Sequence, residues 1–250
     1  MSAASPASPR VSVMIPVYNE EESLETLHRE LDAALASIAG GAEIVFVDDG
    51  SKDRSLAVLR EIAEKDPRVR VVVLDGNHGQ TAAFAAGFDA VRGAITVTLD
   101  ADLQNDPADI PRLVARMDAE GADVVNGVRQ QRRDSWVRLI SSRIANNARN
   151  WFTNESVTDV GCSLRAMRTE YVKRVRLFRN MHRFLPTLLR MEGATKIIEM
   201  PVAHRERRYG VSKYGIGNRL WVGIVDLFGV RWMQARHFRV RVKGEGDGAS

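Results

Sequence analysis

Residues 94–114 read AITVTLDADLQNDPADIPRLV. A short run of strand-forming residues, Ile95 to Leu99, breaks directly into two carboxylates one residue apart, Asp100 and Asp102. Asp106-Pro107 then opens a helical pattern. The stretch is one βα unit, with its acidic residues where the chain leaves the sheet. Two like charges so close repel, so a fold that keeps them usually has a cation to hold. In an extended segment residues i and i+2 point the same way, so Asp100, Asp102 and Gln104 would present three oxygen donors to one side. That set suits Mg²⁺ or Mn²⁺, which keep coordination positions open for substrate phosphates. The competing reading is a plain turn, because Asp is common at strand ends and a lone D-x-D recurs by chance.

The same unit repeats outward in both directions. VSVMIPVY, AEIVFVDDG, VRVVVLDG and ADVVNGV are short and rich in Val and Ile, the composition of strands covered on both faces. Helical patterns separate them. In residues 19–40 the apolar positions Leu24, Leu27, Leu31, Leu35 and Ile38 share one face, Asn19 and Glu22 have capping-box spacing, and Gly40 supplies a stop. SLAVLREIAEKD, TAAFAAGFDAVRG and PADIPRLVARMDAEG continue the alternation as far as Val128. Such βαβ order predicts right-handed crossovers and a Rossmann-like, mostly parallel sheet with helices on both faces. Ligands of such sheets bind outside the carboxyl ends of the strands, where Asp48, Asp49, Asp100 and Asp102 fall. Beyond Val128 the chain becomes Arg-rich and helical, then returns to short strand-like runs around KIIEMPVAHRERR.

Composition bounds the function. The 250 residues, 44% hydrophobic and 27% charged, suffice for one sizeable core with or without an appendage, and exclude a disordered or fibrous chain. A net charge of +4 hints at an anionic partner. One cysteine, Cys162, rules out an internal disulfide and suits a reducing compartment. The start, MSAASPASPR, lacks the apolar core of a signal peptide, and LWVGIVDLFGV, interrupted by Asp226, falls short of the ~20 apolar residues of a transmembrane helix.

IPVYNEEESL, VDDGSKD and LDADLQ, in that order, resemble the inverting glycosyltransferases of family 2, which have the GT-A fold. NHGQTAAFAAGFDAV, TDVGCSLRAM and HRERRYGVSKY are similar to its dolichyl-phosphate mannosyltransferase and bacterial polyprenyl-phosphate glycosyltransferase branch, and the likeness runs from Val11 to Tyr214. The resemblance implies transfer of a sugar from a UDP- or GDP-linked donor to a polyprenyl phosphate, with Mg²⁺ or Mn²⁺. It assigns Pro16, Tyr18, Glu20, Val47 and Asp49, assisted by Asp48, to the base and ribose of the donor, and places Ala101 close to the nucleotide. Carboxylates accept base N–H and ribose O–H bonds, and Tyr stacks on a base. For Glu20 and Glu22, complementing a helix dipole is the alternative. Asp100, Asp102 and Gln104 become the expected metal ligands. The sequence departs from the family's common H-P-P-E after the Gln, reading NDPAD, which leaves the helix start intact and puts the loop shape in doubt.

The same likeness makes Arg129 an acceptor-phosphate contact and has Arg207 with Lys213, in R-x-x-G-x-S-K spacing, close over the donor diphosphate, with Gly210 and Gly215 permitting movement. Asp102, Arg129, Arg207 and Lys213 are thus the expected catalytic set. Arg132, Arg133 and Arg208 read equally well as a solvated face, and Arg138, Arg143 and Arg205 add to the basic clusters. Asp159 is a candidate base for a hydroxyl acceptor but reads better as a loop or capping carboxylate, His78 and His204 as structural, and Cys162 as core.

Nucleic acid is the poorer reading as a partner, because the aromatic interleaving and modules expected of a base reader are missing. Two other functions compete: a family 2 enzyme glycosylating a saccharide or lipid hydroxyl, for whose polymerising members the Q-x-x-R-W signature is absent, and a non-catalytic nucleotide-sugar-binding subunit. The domain division expected is a tail over 1–9, a GT-A domain over 10–214, an amphipathic helix over 215–240 and a tail over 241–250. In that helix Trp221, Val225, Phe228 and Trp232 fall on one face and Arg219, Asp226 and His237 on the other, with Arg231, Arg236 and Arg239 at the edges. It reads as a surface for the cytoplasmic face of a membrane, making the protein cytoplasmic and peripheral. Core packing or a homo-oligomer contact is the alternative. Since relatives continue into transmembrane helices, an integral membrane partner is a further expectation.

Overall fold

The computed structural model describes residues 8–130, 149, 150, 152, 153, 155, 157–206 and 219–238. The run of Val and Ile at 11–17 forms β1 (Val11–Val17), whose alternating side chains divide between two layers. Val11, Val13, Ile15 and Val17 face one helical layer and Met14 the other, so the strand reads as continuously apolar. Helix α1 (Leu24–Leu35), β2 (Ala42–Asp48), α2 (Ser55–Lys65), β3 (Val69–Val73), α3 (Gln80–Ala90), β4 (Ile95–Thr98), α4 (Ile110–Glu120) and β5 (Val124–Arg129) follow in the expected alternation. A 3-10 turn, Pro107–Asp109, leads into α4, with Asp106 Oδ1 accepting from Ala108 N, so the NDPAD departure does leave the helix start intact.

β1 pairs in parallel with β2 and β4, and β2 with β3. The seven-stranded order is β3-β2-β1-β4-β6-β5-β7, where β6 (Arg165–Arg168) runs antiparallel to both neighbours and β7 (Ile197–Val202) parallel to β5. The sheet is therefore mostly parallel with one reversed strand. That strand, from SLRAM, has no strand-like alternation and carries an arginine at its start.

Leu24, Leu27, Leu31, Leu59, Ile110, Leu113 and Met117 of α1, α2 and α4 bury against one face of the sheet. Each such side chain contributes about 1.5–3 kcal/mol. Phe84 and Phe88 of α3, with Val172 of α5 (Thr169–Val172) and Leu185 and Leu189 of α6 (Leu185–Met191), cover the other. Gly87 lets α3 approach closely, since a Cβ there would lie 2.5 Å from Met14 Cγ. Helix α7 (Arg219–Arg236) docks separately, Val230, Leu227 and Met233 packing on Met181, Phe184 and Leu188.

The capping box expected at Asn19 and Glu22 does not form. Helix α1 starts later, after Ser23, and the preceding loop is tied to the one following β2. Asn19, at φ 53°, donates from its N to Ser51 Oγ and accepts from Lys52 N at Oδ1, Glu20 N donates to Ser55 Oγ, and Glu21 Oε2 accepts from Arg54 N. Long-range partners thus claim the groups that a local cap would have used. The helix also ends at Leu35, well before Gly40.

Candidate active site

The loops leaving the carboxyl ends of β1, β2, β4 and β5 surround a cleft of about 490 Å³. Pro16, Tyr18 and Glu20 enter from the first, Asp49 from the second, Asp100, Ala101, Asp102 and Gln104 from the third, and Arg129 from the last. Val47 does not join them: its side chain is fully buried in the layer between β2 and α3, because at that position the strand's pleat points into the core. Arg207 and Lys213 lie outside the described residues, as do Arg132, Arg133, Arg138, Arg143, Arg208, Gly210, Gly215 and Arg239.

The acidic segment is not extended. Residues 101–103 form a turn, with Leu103 at φ 60°, and Asp102 Oδ1 accepts from Gln104 N at 3.1 Å. Turn and cleft-facing carboxylates are thus one arrangement: the Asx turn aims Asp100, Asp102 and Gln104 into the same space without strand periodicity. Among the described residues no three His, Cys, Asp or Glu side chains converge as a metal cage. Two carboxylates and an amide fit instead an ion that shares its shell with phosphate oxygens.

Asp49 lines the cleft and also holds local structure. Only 3% exposed, its carboxylate accepts from Asn77 Nδ2, His78 N and Gly79 N at 3.0, 2.8 and 2.9 Å, folding the turn before α3 onto the end of β2. Asp48 does not line the cleft; it accepts from Ser51 N at Oδ2, and its Oδ1 is buried with no hydrogen-bond partner among the described residues.

Arg129 makes a bidentate pair with Asp159, Nε to Oδ2 and Nη2 to Oδ1 both at 2.8 Å, reinforced by its own backbone N–H at 3.2 Å. Asp159 thus serves as the carboxylate that orients an arginine at the edge of the cleft. Gly161 makes room for that arginine, since a Cβ there would sit 2.7 Å from Arg129 Nη2. Below them Arg165 is buried, donating from Nη2 to Val160 O at 2.6 Å. Burial pushes its pKa down, against the attraction of Cys162, Asp159 and Asp100.

Arg205 is a strut. Its N donates to Gln104 O, and its guanidinium spans Glu30 of α1 at 2.7 Å and Asp106 at 2.6 Å, holding the loop after the acidic turn. His78 anchors its turn through its backbone and pairs with Asp75 at the surface. Cys162 is buried in the core, which raises its pKa. His204 lines the cleft beside Asn105, with which it forms an isolated antiparallel bridge. Sequence reasoning gave no site role to His204, Asn77, Gly79, Gln80, Ala83, Asn105, Gly161 or Ser163, all of which line the cleft. The NHGQTAAF segment carried the signal for four of them: a polar, glycine-containing turn between a strand and a helix start.

An α/β sheet whose first, second and fourth strands carry a nucleotide-sized cleft, with an acidic Asx turn at its floor, is the GT-A architecture. The chain belongs to glycosyl transferase family 2, whose family model matches residues 12–176. It is 47% identical over 207 residues to the undecaprenyl-phosphate 4-deoxy-4-formamido-L-arabinose transferase of Edwardsiella ictaluri, covering 82% of this chain and 63% of that protein. It is 48% identical over 205 residues to that of Pseudomonas paraeruginosa, covering 82% and 60%. The chain therefore spans under two thirds of the length of these relatives. Glucosyl-3-phosphoglycerate synthase from Mycobacterium tuberculosis, solved with Mn²⁺, UDP-glucose and phosphoglyceric acid, superposes with a TM-score of 0.66 at 20% identity, over 93% of this chain and 82% of that one. S. aureus TarS with UDP-GlcNAc gives 0.63 at 18% identity, over 90% and 66%.

Proposed function

We propose that the protein is an inverting glycosyltransferase that moves a sugar from a nucleotide-sugar to a polyprenyl phosphate. The observation that carries this reading is the meeting, in one cleft, of the acidic turn at Asp100 and Asp102 with Tyr18 and Arg129 from other strand ends. The relatives' names support undecaprenyl phosphate as acceptor, and the solved neighbours support a uridine diphosphate donor.

In this mechanism Tyr18 and Glu20 hold the nucleoside, while Asp100, Asp102 and Gln104 would hold Mg²⁺ or Mn²⁺, which would supply stabilisation of the negative charge on the departing diphosphate. A phosphate monoester with a second pKa of about 6 is already largely dianionic at neutral pH, so its oxygen attacks the anomeric carbon without a general base. The carbon–oxygen bond to the diphosphate breaks as the new one forms on the opposite face, inverting the centre and releasing nucleoside diphosphate. Arg129, kept in place by Asp159, steadies the approaching phosphate, and Arg207 with Lys213 offsets charge on the leaving group. The commitment of Asp159 to Arg129 supports a reaction that needs no carboxylate base.

The acceptor is lipid, and α7 supplies the matching surface. Val225, Phe228 and Trp232 are 56%, 60% and 65% exposed, Ile224 beside them is also exposed, and Arg231 and Arg236 lie exposed on the same helix. Among the described residues no helix is long and apolar enough to cross a membrane, and this stripe suits the headgroup layer on the cytoplasmic face. The side chain of Trp221 lies outside the described residues. Asp226, expected on the face opposite the stripe, lies toward the body, where burial raises its pKa and Oδ2 is buried, with Asn180 and Arg183 nearby.

Incubating the protein with Mn²⁺, a short undecaprenyl-type phosphate and a panel of UDP- and GDP-sugars should yield a glycosyl phospholipid identified by mass. Asp102→Asn should abolish that product. Turnover that survives both this substitution and EDTA would remove the metal reading, and a product formed only on hydroxyl acceptors would overturn the choice of acceptor.

A further inference from the structure

The turn between β3 and α3 is bonded to both ends of the cleft. Asn77, His78 and Gly79 donate to Asp49, and the next residue, Gln80, sends Nε2 to Asp100 Oδ1 at 3.0 Å. On its other side Thr81 Oγ1 accepts from Asn180 N at 3.0 Å and shares a 2.7 Å bond with His182 Nδ1. Gln80, the first residue of α3, therefore has its backbone held between two anchored neighbours. Gly79, at φ 91°, makes the backbone reversal that brings it there. We propose that Gln80 is a positioning residue for the divalent-cation site, its amide fixing the orientation of the Asp100 carboxylate toward an ion shared with Asp102.

The residue type fits the task. A neutral N–H donor restrains one oxygen and eases the repulsion between Asp100 and Asp102 while bringing no charge of its own, whereas a lysine or arginine at this point would compete with the ion. Because three of the same turn's donors lie on Asp49, the nucleoside end and the cation end of the cleft are built to one frame.

This inference rests on the metal reading proposed above. Gln80→Met keeps the length of the side chain and removes the donor. Losing a hydrogen bond that orients a ligand weakens metal binding about 10-fold or more. The Mn²⁺ affinity of the protein–UDP complex, read from the EPR signal of free Mn²⁺, should fall by that factor in Gln80→Met, while UDP affinity measured in EDTA stays as in wild type. The Mn²⁺ midpoint of turnover should rise in parallel. Unchanged Mn²⁺ affinity would overturn the proposal, as would an equal loss of UDP affinity in EDTA, which would mean that the whole turn had moved. Asp102→Asn separates the two levels of the argument: if it abolishes Mn²⁺ binding and Gln80→Met leaves Mn²⁺ affinity at the wild-type value, only Gln80's role fails. If neither substitution affects Mn²⁺ binding, the metal reading falls and this proposal with it.

Discussion

Asp49→Ala should destabilise the protein as well as change its ligand affinity, because the carboxylate holds a turn. Three donors converge on it, and Asn77 Nδ2 keeps a second acceptor in Asp49 O at 3.2 Å, whereas His78 N and Gly79 N at 2.8 and 2.9 Å would lose their partner. A hydrogen bond to a charged group contributes about 1.5–3 kcal/mol, so two at the low end amount to ~3 kcal/mol. For a chain of this size each kcal/mol moves Tm by about 2–4 °C, which predicts a fall of ~6–12 °C. Asp49→Asn retains one acceptor oxygen and should fall about half as far. Scanning calorimetry of the two variants beside wild type, with UDP titrated in parallel, checks this. A wild-type Tm in Asp49→Ala accompanied by weakened UDP binding would refute the reasoning and return the carboxylate to the ligand.

Gly161→Ala should push the Arg129 guanidinium off Asp159, raising KM for the lipid phosphate about 10-fold and lowering Tm because a largely buried ion pair is broken, as steady-state kinetics on a short polyprenyl phosphate and scanning calorimetry will read. His182, whose pKa burial and then nearby Arg183 and Arg165 depress to about 3, stays neutral when folded. The unfolded chain takes up a proton below the ordinary value of 6.5, so stability falls as pH drops from 6.5 toward 3, by up to about 1.4 kcal/mol per pH unit. His182→Gln should flatten that limb, seen as urea midpoints that differ less between pH 7 and pH 5 than those of wild type. Replacing Phe228 and Trp232 with Glu should release the protein from anionic liposomes in a flotation assay and spare UDP binding; unchanged flotation would assign the stripe to protein packing.

The strand and helix alternation through Val128, the apolar face of α1 and the carboxylates at strand ends were legible from residue order alone, because each depends on local periodicity and on the rule that open α/β sheets bind ligands at their carboxyl edges. Asp100 and Asp102 were likewise placed at the cleft from type and position, and Arg129 by the family resemblance. Tertiary structure decided what no local pattern encodes. The antiparallel β6 is held by β4 and β5 on either side, and that enclosure keeps Arg165 buried against its intrinsic preference for water. Asn19 gave up a helix cap for partners 32 and 33 residues away, and Asp49 was claimed by the turn before α3. Helix α7 has apolar residues on more than one face, and only its docking through Val230, Leu227 and Met233 leaves Val225, Phe228 and Trp232 outward. Periodicity ranks the faces of an element, but which face is buried depends on a neighbour brought close by the rest of the chain.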